Sequence, residues 1–356
     1  MTRGLLERLN EGVVLGDGGY LLELEKRGYV QAGPFTPEVV VEHPGALAEL
    51  HREFLRAGAD VLQTMTFYAS DDKLATVGME GKVDEINQNA VRIAREVAAE
   101  DDALVAGNLS LTWAYDPADP GSPDHVRELF DRQLRDQLDA GPPDFWIGET
   151  FGWLGEALLF VERAKATGLP VMVTMSFEQP EPKAYEGDGP GGCARKLADA
   201  GADVVGVNCL NGPEQMLPIA AEMAAAVSTP VAAQPVGYRT TAERPDFTSW
   251  ENFPYALDSM QVNRGEMASF AVAARDAGVR YIGSCCGSVA GHVRAMARAL
   301  GKLPADEREW KSKTGKPMSG YEYYDHTETE GPGGGSPPGP PESPRIQRFV
   351  RSGAPA

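Results

Sequence analysis

The sequence predicts an α/β protein of the (β/α)₈ TIM-barrel class. Three observations carry this expectation. Eight short apolar runs alternate with about eight helical patterns over roughly 290 residues, the count of a closed barrel. Three of the runs are approached by near-identical phrases, Ala-Gly-Ala-Asp before Val61, Ala-Gly-Ala-Asp before Val204 and Ala-Gly-Val-Arg before Tyr281. Each reads as a helix ending in Gly with a strand following at once. Finally, no G-x-G-x-x-G follows the first run, which argues against a doubly wound open sheet as the alternative.

The predicted strands are Val13–Gly16, Asp60–Met65, Ala103–Gly107, Asp144–Ile147, Pro170–Met175, Ala202–Val207, Pro230–Ala233 and Val279–Gly283. Between them the 3.6-residue pattern predicts helices at His43–Ala57, Asp84–Glu100, Asp124–Leu138, Trp153–Thr167, Ala194–Ala200, Pro213–Val227, Arg264–Ala277 and Ala290–Leu300. A short helix is expected near the N-terminus, whose MTRGLLERLNEG lacks the apolar core of a signal peptide. The barrel domain is expected over 1–303. A C-terminal extension over 304–356 is expected to be largely disordered, because Gly331–Pro344 (GPGGGSPPGPPESP) suits neither helix nor strand.

Composition narrows the function classes. Fifty-two acidic against 33 basic residues give a formal charge of −19, which disfavours nucleic acid and anionic membrane as partners. No apolar run approaches the length of a membrane span. Four cysteines in 356 residues, two of them adjacent, make no disulfide framework. A cytoplasmic protein with free thiols acting on a small molecule is the expectation.

In such barrels chemistry sits at the carboxyl ends of the strands. The residues just beyond the predicted strands are Asp17-Gly18-Gly19, Thr66-Phe67-Tyr68, Glu149, Asn208-Cys209 and Ser284-Cys285-Cys286-Gly287. Cys209, Cys285 and Cys286 therefore fall on one rim, from strands six and eight, near neighbours around the ring, while Cys193 falls at a helix start. Three thiolates suit a zinc ion with an open fourth position. Such a zinc is a poor activator of water but keeps a substrate thiol ionised and nucleophilic. The competing readings are buried, inert cysteines and a redox disulfide, the latter disfavoured by the strain of adjacent cysteines.

Asp17 with the Gly18 and Gly19 amides suits an amino acid ligand, the acid for its ammonium and the amides for its carboxylate. An ordinary Asp-Gly turn is the alternative. Glu149 ends an apolar strand and is expected to point into the mouth, unless a rim Arg or Lys claims it. Phe35, Phe67 and Tyr68 are aromatic rim residues suited to a methylated cation, or simply to packing.

From Leu5 to Leu300 the chain resembles the zinc-dependent homocysteine S-methyltransferases, and their betaine-using branch in particular. The resemblance is carried by Leu5–Glu38, by HREFLRAGADVLQTMTFYASDDKL (51–74), by ADVVGVNC (202–209) and by GVRYIGSCCG (278–287). It implies zinc on Cys209, Cys285 and Cys286, with the sulfur of homocysteine as fourth ligand. It implies that Asp17, Gly18, Gly19 and Glu149 hold the amino acid end. The methyl donor, betaine or another onium compound, would stack on Phe35 and Tyr68, and methionine would be the product. Two positions depart from the betaine branch: Phe35 replaces a tryptophan, and Thr150 replaces a tyrosine. Sulfonium donors (S-methylmethionine, S-adenosylmethionine, dimethylsulfoniopropionate) and a non-catalytic zinc-binding barrel are the alternatives. Homo-oligomers occur in the family, but the residues after Leu303 differ from the animal enzymes' arm, so the oligomeric state is not carried over.

Overall fold

The structure, a computed structural model, describes residues 3–31 and 36–303. The expectations for Phe35 and for the 304–356 extension lie outside the described residues. Eight parallel strands form one sheet: β1 (Val14–Leu15), β2 (Val61–Gln63), β3 (Leu104–Ser110), β4 (Phe145–Phe151), β5 (Val171–Met175), β6 (Val204–Asn208), β7 (Val231–Gln234) and β8 (Tyr281–Ile282). Their order is β1-β8-β7-β6-β5-β4-β3-β2, so the sheet curls into a nearly closed barrel and is not doubly wound. All eight helices expected between the strands are present, from Pro44–Arg56 to Ala290–Ala299, each within a few residues of its expected bounds. Three further short helices, Leu21–Lys26, Val39–Glu42 and Asp71–Ala75, occupy the loops after β1 and β2. Among the described residues no helix is long and apolar enough to cross a membrane.

Between β1 and β2 one backbone bond and one Asp60 side-chain bond stand in for the ladder. The Asp60 amide donates to the Leu15 carbonyl at 2.8 Å, and the Leu15 amide donates to Asp60 Oδ2 at 2.7 Å. The same bracket recurs where Asp144 takes the Val105 amide and Asp203 takes the Val171 amide. The acidic residue before a strand therefore stitches that strand to its predecessor, which explains why Ala-Gly-Ala-Asp repeats. Replacing Asp60 by alanine should strand the Leu15 amide at the seam and cost about 1–3 kcal/mol. Chemical denaturation would read this as a lower midpoint with an unchanged slope; an unchanged midpoint would show the seam needs no bracket.

The two-residue period of each strand divides the core. Val105, Trp146, Val173 and Val205 face the helices and join the large outer cluster. Leu104, Ala106, Phe145, Ile147, Met172, Val204 and Ala232 form a separate inner cluster, which Leu5 and Leu9 of the first helix (Leu5–Glu11) join. The inner face changes character toward the carboxyl ends. Its next members are Gln63, Asn108, Glu149, Thr174, Asn208 and Gln234, all polar. The barrel is thus packed with hydrocarbon below and lined with amides and a carboxylate above, where the site lies.

Candidate active site

A cavity of about 470 Å³ opens at the carboxyl ends of the strands. Asp17, Gly18, Gly19, Tyr68, Glu149, Cys209, Cys285 and Cys286 all line it. Among the described residues five non-glycine residues have a left-handed backbone: Tyr68, Trp113, Thr150, Cys209 and Leu210. All five line this cavity. Each such residue is strained by about 1 kcal/mol or more, and here the strain is confined to the loops that build the mouth.

The three sulfurs lie within 4.8 Å of one another, with Cys209 and Cys286 at 4.0 Å. β7 explains the convergence, because it lies between the cysteine-bearing strands and splints them. The Cys209 amide donates to the Gln234 carbonyl at 3.0 Å, the Cys285 amide to Pro235 at 2.8 Å, and the Gly237 amide to Cys286 at 2.8 Å. A tetrahedral ion with bonds of about 2.3 Å to sulfur needs sulfurs about 3.8 Å apart, so the observed spacing fits. Among the described residues no fourth His, Cys, Asp or Glu joins the group. The Cys285 thiol is pushed well above the usual cysteine range, first by its contact with the Cys209 thiol and then by burial and nearby negative charge. Three crowded thiols, one on a buried and two on half-buried residues, ionise together only around a cation. The cluster could therefore hold a metal ion. No disulfide joins any pair, and Cys193 is buried away from the group, its Sγ 3.6 Å from the Asp188 carbonyl.

Glu149 is held by amides and not by a rim Arg or Lys. Its Oε1 accepts from Gln63 Nε2 and Asn108 Nδ2, both at 2.7 Å, and its Oε2 from Asn208 Nδ2 at 3.2 Å. Burial pushes its carboxyl up to about 7 against these amides, with the Asp17 charge adding to the rise. Asp17 is 4% exposed. Its Oδ2 accepts from the Gln63 amide at 2.7 Å and from the Tyr20 hydroxyl, whose oxygen lies 2.9 Å from His51 Nδ1. Burial raises Asp17 to about 6. Two buried carboxyls thus line one cavity with no cation paired to either among the described residues.

Gly19 needs a correction. Its N–H donates to the Ser288 carbonyl at 3.1 Å, so it is not free for a ligand carboxylate. A side chain there would meet the Cys285 carbonyl at 2.7 Å. Glycine is required because the turn after β1 packs directly on the cysteine loop. Tyr68 is likewise more engaged than expected. Lys73 Nζ sits 4.2 Å from its ring centroid, Phe67 packs at 4.3 Å between centroids, and Trp113 Nε1 donates to its hydroxyl at 2.7 Å.

Sequence reasoning assigned no role to Gln63, Asn108 or Asn208, nor to Tyr20, His51, Lys73 and the Gln234–Gly237 splint. The signal for the first three was present. Counting every second residue along each strand from its apolar base reaches Gln63, Asn108, Glu149 and Asn208 in turn.

A barrel mouth with three converging cysteines beside two unpaired carboxyls matches a family as well as a fold. The model of the homocysteine S-methyltransferase family matches residues 14–300, and the chain belongs to that family of methyltransferases. It is 44% identical over 335 residues to betaine–homocysteine S-methyltransferase 1 of Danio rerio, covering 90% of this chain and 82% of that one. It is also 42% identical over 305 residues to an S-methylmethionine–homocysteine S-methyltransferase of Pongo abelii, covering 84% and 81%. The metallated homocysteine methyltransferase of Escherichia coli shares the fold, with a TM-score of 0.65 at 22% identity over 81% of this chain and 96% of that one. The alternative of a non-catalytic barrel gives way to these findings.

Proposed function

We propose that the chain transfers a methyl group from betaine to homocysteine, forming methionine, with zinc held by Cys209, Cys285 and Cys286. One observation carries this reading: unpaired Asp17 and Glu149 share a cavity with three converging sulfurs. Homocysteine carries an ammonium at one end and a thiol at the other. Its ammonium supplies the cation that two buried carboxyls lack. Zinc on the three cysteines would offer its open position to the substrate thiol and keep it ionised at neutral pH.

The protein's own part is placement and exclusion of water. Glu149, fixed by three amides, and Asp17, fixed by Gln63 and Tyr20, set where the amino acid end lies. The Gly18 amide remains for the substrate carboxylate. Phe67, Trp113 and Phe247 line the cavity, and Phe35 is proposed as a further wall for the methylated cation. In the transfer the methyl carbon bonds to sulfur as its bond to nitrogen breaks, and the amine leaves neutral. An anion and a cation thereby cancel, so a dry mouth favours the transition state over the separated charges. No proton need move. Four unpaired cysteines suit a reducing compartment such as the cytoplasm.

A second reading, a sulfonium donor, is favoured by the likeness to the S-methylmethionine-named relative and by Thr150 in place of a donor-side tyrosine. Incubation with homocysteine and each donor separately, with methionine measured, decides between them. Methionine from betaine is expected. None from betaine but turnover with S-methylmethionine would overturn the donor assignment.

A further inference from the structure

We propose that Lys73 anchors a carboxylate on the methyl donor, so that the cavity selects zwitterionic onium compounds over cations of the same size. The inference deepens the methyl-transfer reading and rests on it. Lys73 lies on the short helix Asp71–Ala75, just beyond β2, and lines the cavity. Its ammonium stands 4.2 Å from the Tyr68 ring centroid and 5.5 Å from that of Trp113.

No described carboxylate claims this ammonium. Asp71 on the same helix pairs with Arg132 at 2.8 Å, and Asp72 with His125 at 2.7 Å. Among the described residues none of the acids lining the cavity forms an ion pair with Lys73. Asp17 and Glu149 are held as described above, Glu178 accepts from the Tyr185 hydroxyl at 3.0 Å, and Asp246 accepts from the Thr248 amide at 2.8 Å. The Tyr68 hydroxyl accepts from Trp113, which leaves its own proton to donate. A half-buried ammonium and a hydroxyl proton thus lie together on one wall.

A bare onium ion brought to that wall would meet like charge on an aromatic face already occupied by Lys73. A donor that carries a carboxylate near its methylated centre places the anion on Lys73 and keeps the two cations apart. The lysine therefore attracts one class of donor and repels the other. Betaine has the required shape, and short carboxylated sulfonium compounds share it.

The test uses the full chain with its metal and homocysteine, and compares betaine and S-methylmethionine each with its own carboxamide. Donor binding by calorimetry is read beside turnover. Wild type should prefer each acid over its amide by about tenfold or more. Lys73→Met, which keeps the apolar stem, should raise the donor's KM and Kd by about 10- to 100-fold, the loss of a charge-assisted bond. It should bring the acid-to-amide preference near one and leave the KM of homocysteine within about twofold. Lys73→Arg should recover most of the loss. Equal use of acid and amide by wild type, or an unchanged donor Kd in Lys73→Met, would overturn the proposal. So would an equal rise in the KM of homocysteine. Donor binding that depends on Lys73 without any methionine formed would instead refute the methyl-transfer reading while sustaining the anchor.

Discussion

Replacing Cys209 by alanine is expected to release the metal and lower turnover by at least about 10³-fold. Two effects combine, and their sizes differ. A free thiol near its ordinary pKa is a few per cent ionised at pH 7, so losing ionisation alone costs only about 30-fold. Loss of the fixed position of the sulfur costs much more, because holding two reactants in register is worth many orders of magnitude. The variant should also leave two sulfurs, of Cys285 and Cys286, that cannot close a tetrahedral site. Cys193→Ala is the matched control. Its thiol is buried away from the cluster and pushed up to about 12, chiefly by burial. It should cost about 1 kcal/mol of stability at most and leave metal content and activity intact. Metal analysis and methionine formation on both variants check this. Full turnover by metal-free Cys209→Ala would break the mechanism.

The second large effect is at Glu149. Glu149→Gln should raise the KM of homocysteine by about two to three orders of magnitude, the cost of removing one partner of a buried charge pair. It should also stabilise the metal-free, ligand-free protein at pH 8. The sign follows from the two states. In the folded protein the carboxyl stays protonated up to about 7, while in the unfolded chain it ionises near 4.5. Folding therefore takes up a proton between these values, and stability falls as pH rises through that window, then levels off above about 7. The burial cost at pH 8 is about 3 kcal/mol. Glutamine removes it but presents an amide where Asn208 Nδ2 donates, losing about 1 kcal/mol. A net gain of about 1–2 kcal/mol is expected. Thermal melts between pH 4.5 and 8 would show the wild-type decline flattened in the variant; a variant less stable at pH 8 would mean that the carboxylate is not destabilised by burial.

Much of this site was legible in residue order, because a barrel converts strand ends into neighbours. Cys209 and Cys285-Cys286 follow β6 and β8 directly, so counting strands was enough to bring them together. Glu149 was legible for the same reason. What order alone did not yield was which backbone groups remain free. Gly19 looked like an open amide beside Asp17, and only the packing of one loop on another shows its N–H spent on Ser288. Lys73 was equally hidden. It falls in a run of Asp-Asp-Lys that reads as a solvated helix turn. Its function depends on Asp71 and Asp72 pairing with Arg132 and His125, residues more than fifty positions away. The short helices after β1 and β2 were missed because tertiary contacts, and not a long periodic pattern, hold them.

Cys209, Cys285 and Cys286 are proposed to hold a metal whose remaining position belongs to the substrate thiol. X-ray absorption at the zinc edge, on the zinc-loaded full chain with and without homocysteine, tests it most directly. Three sulfurs and one lighter atom are expected alone, and four sulfurs once homocysteine is added. A sulfur count unchanged by homocysteine, with the amino acid demonstrably bound, would contradict it.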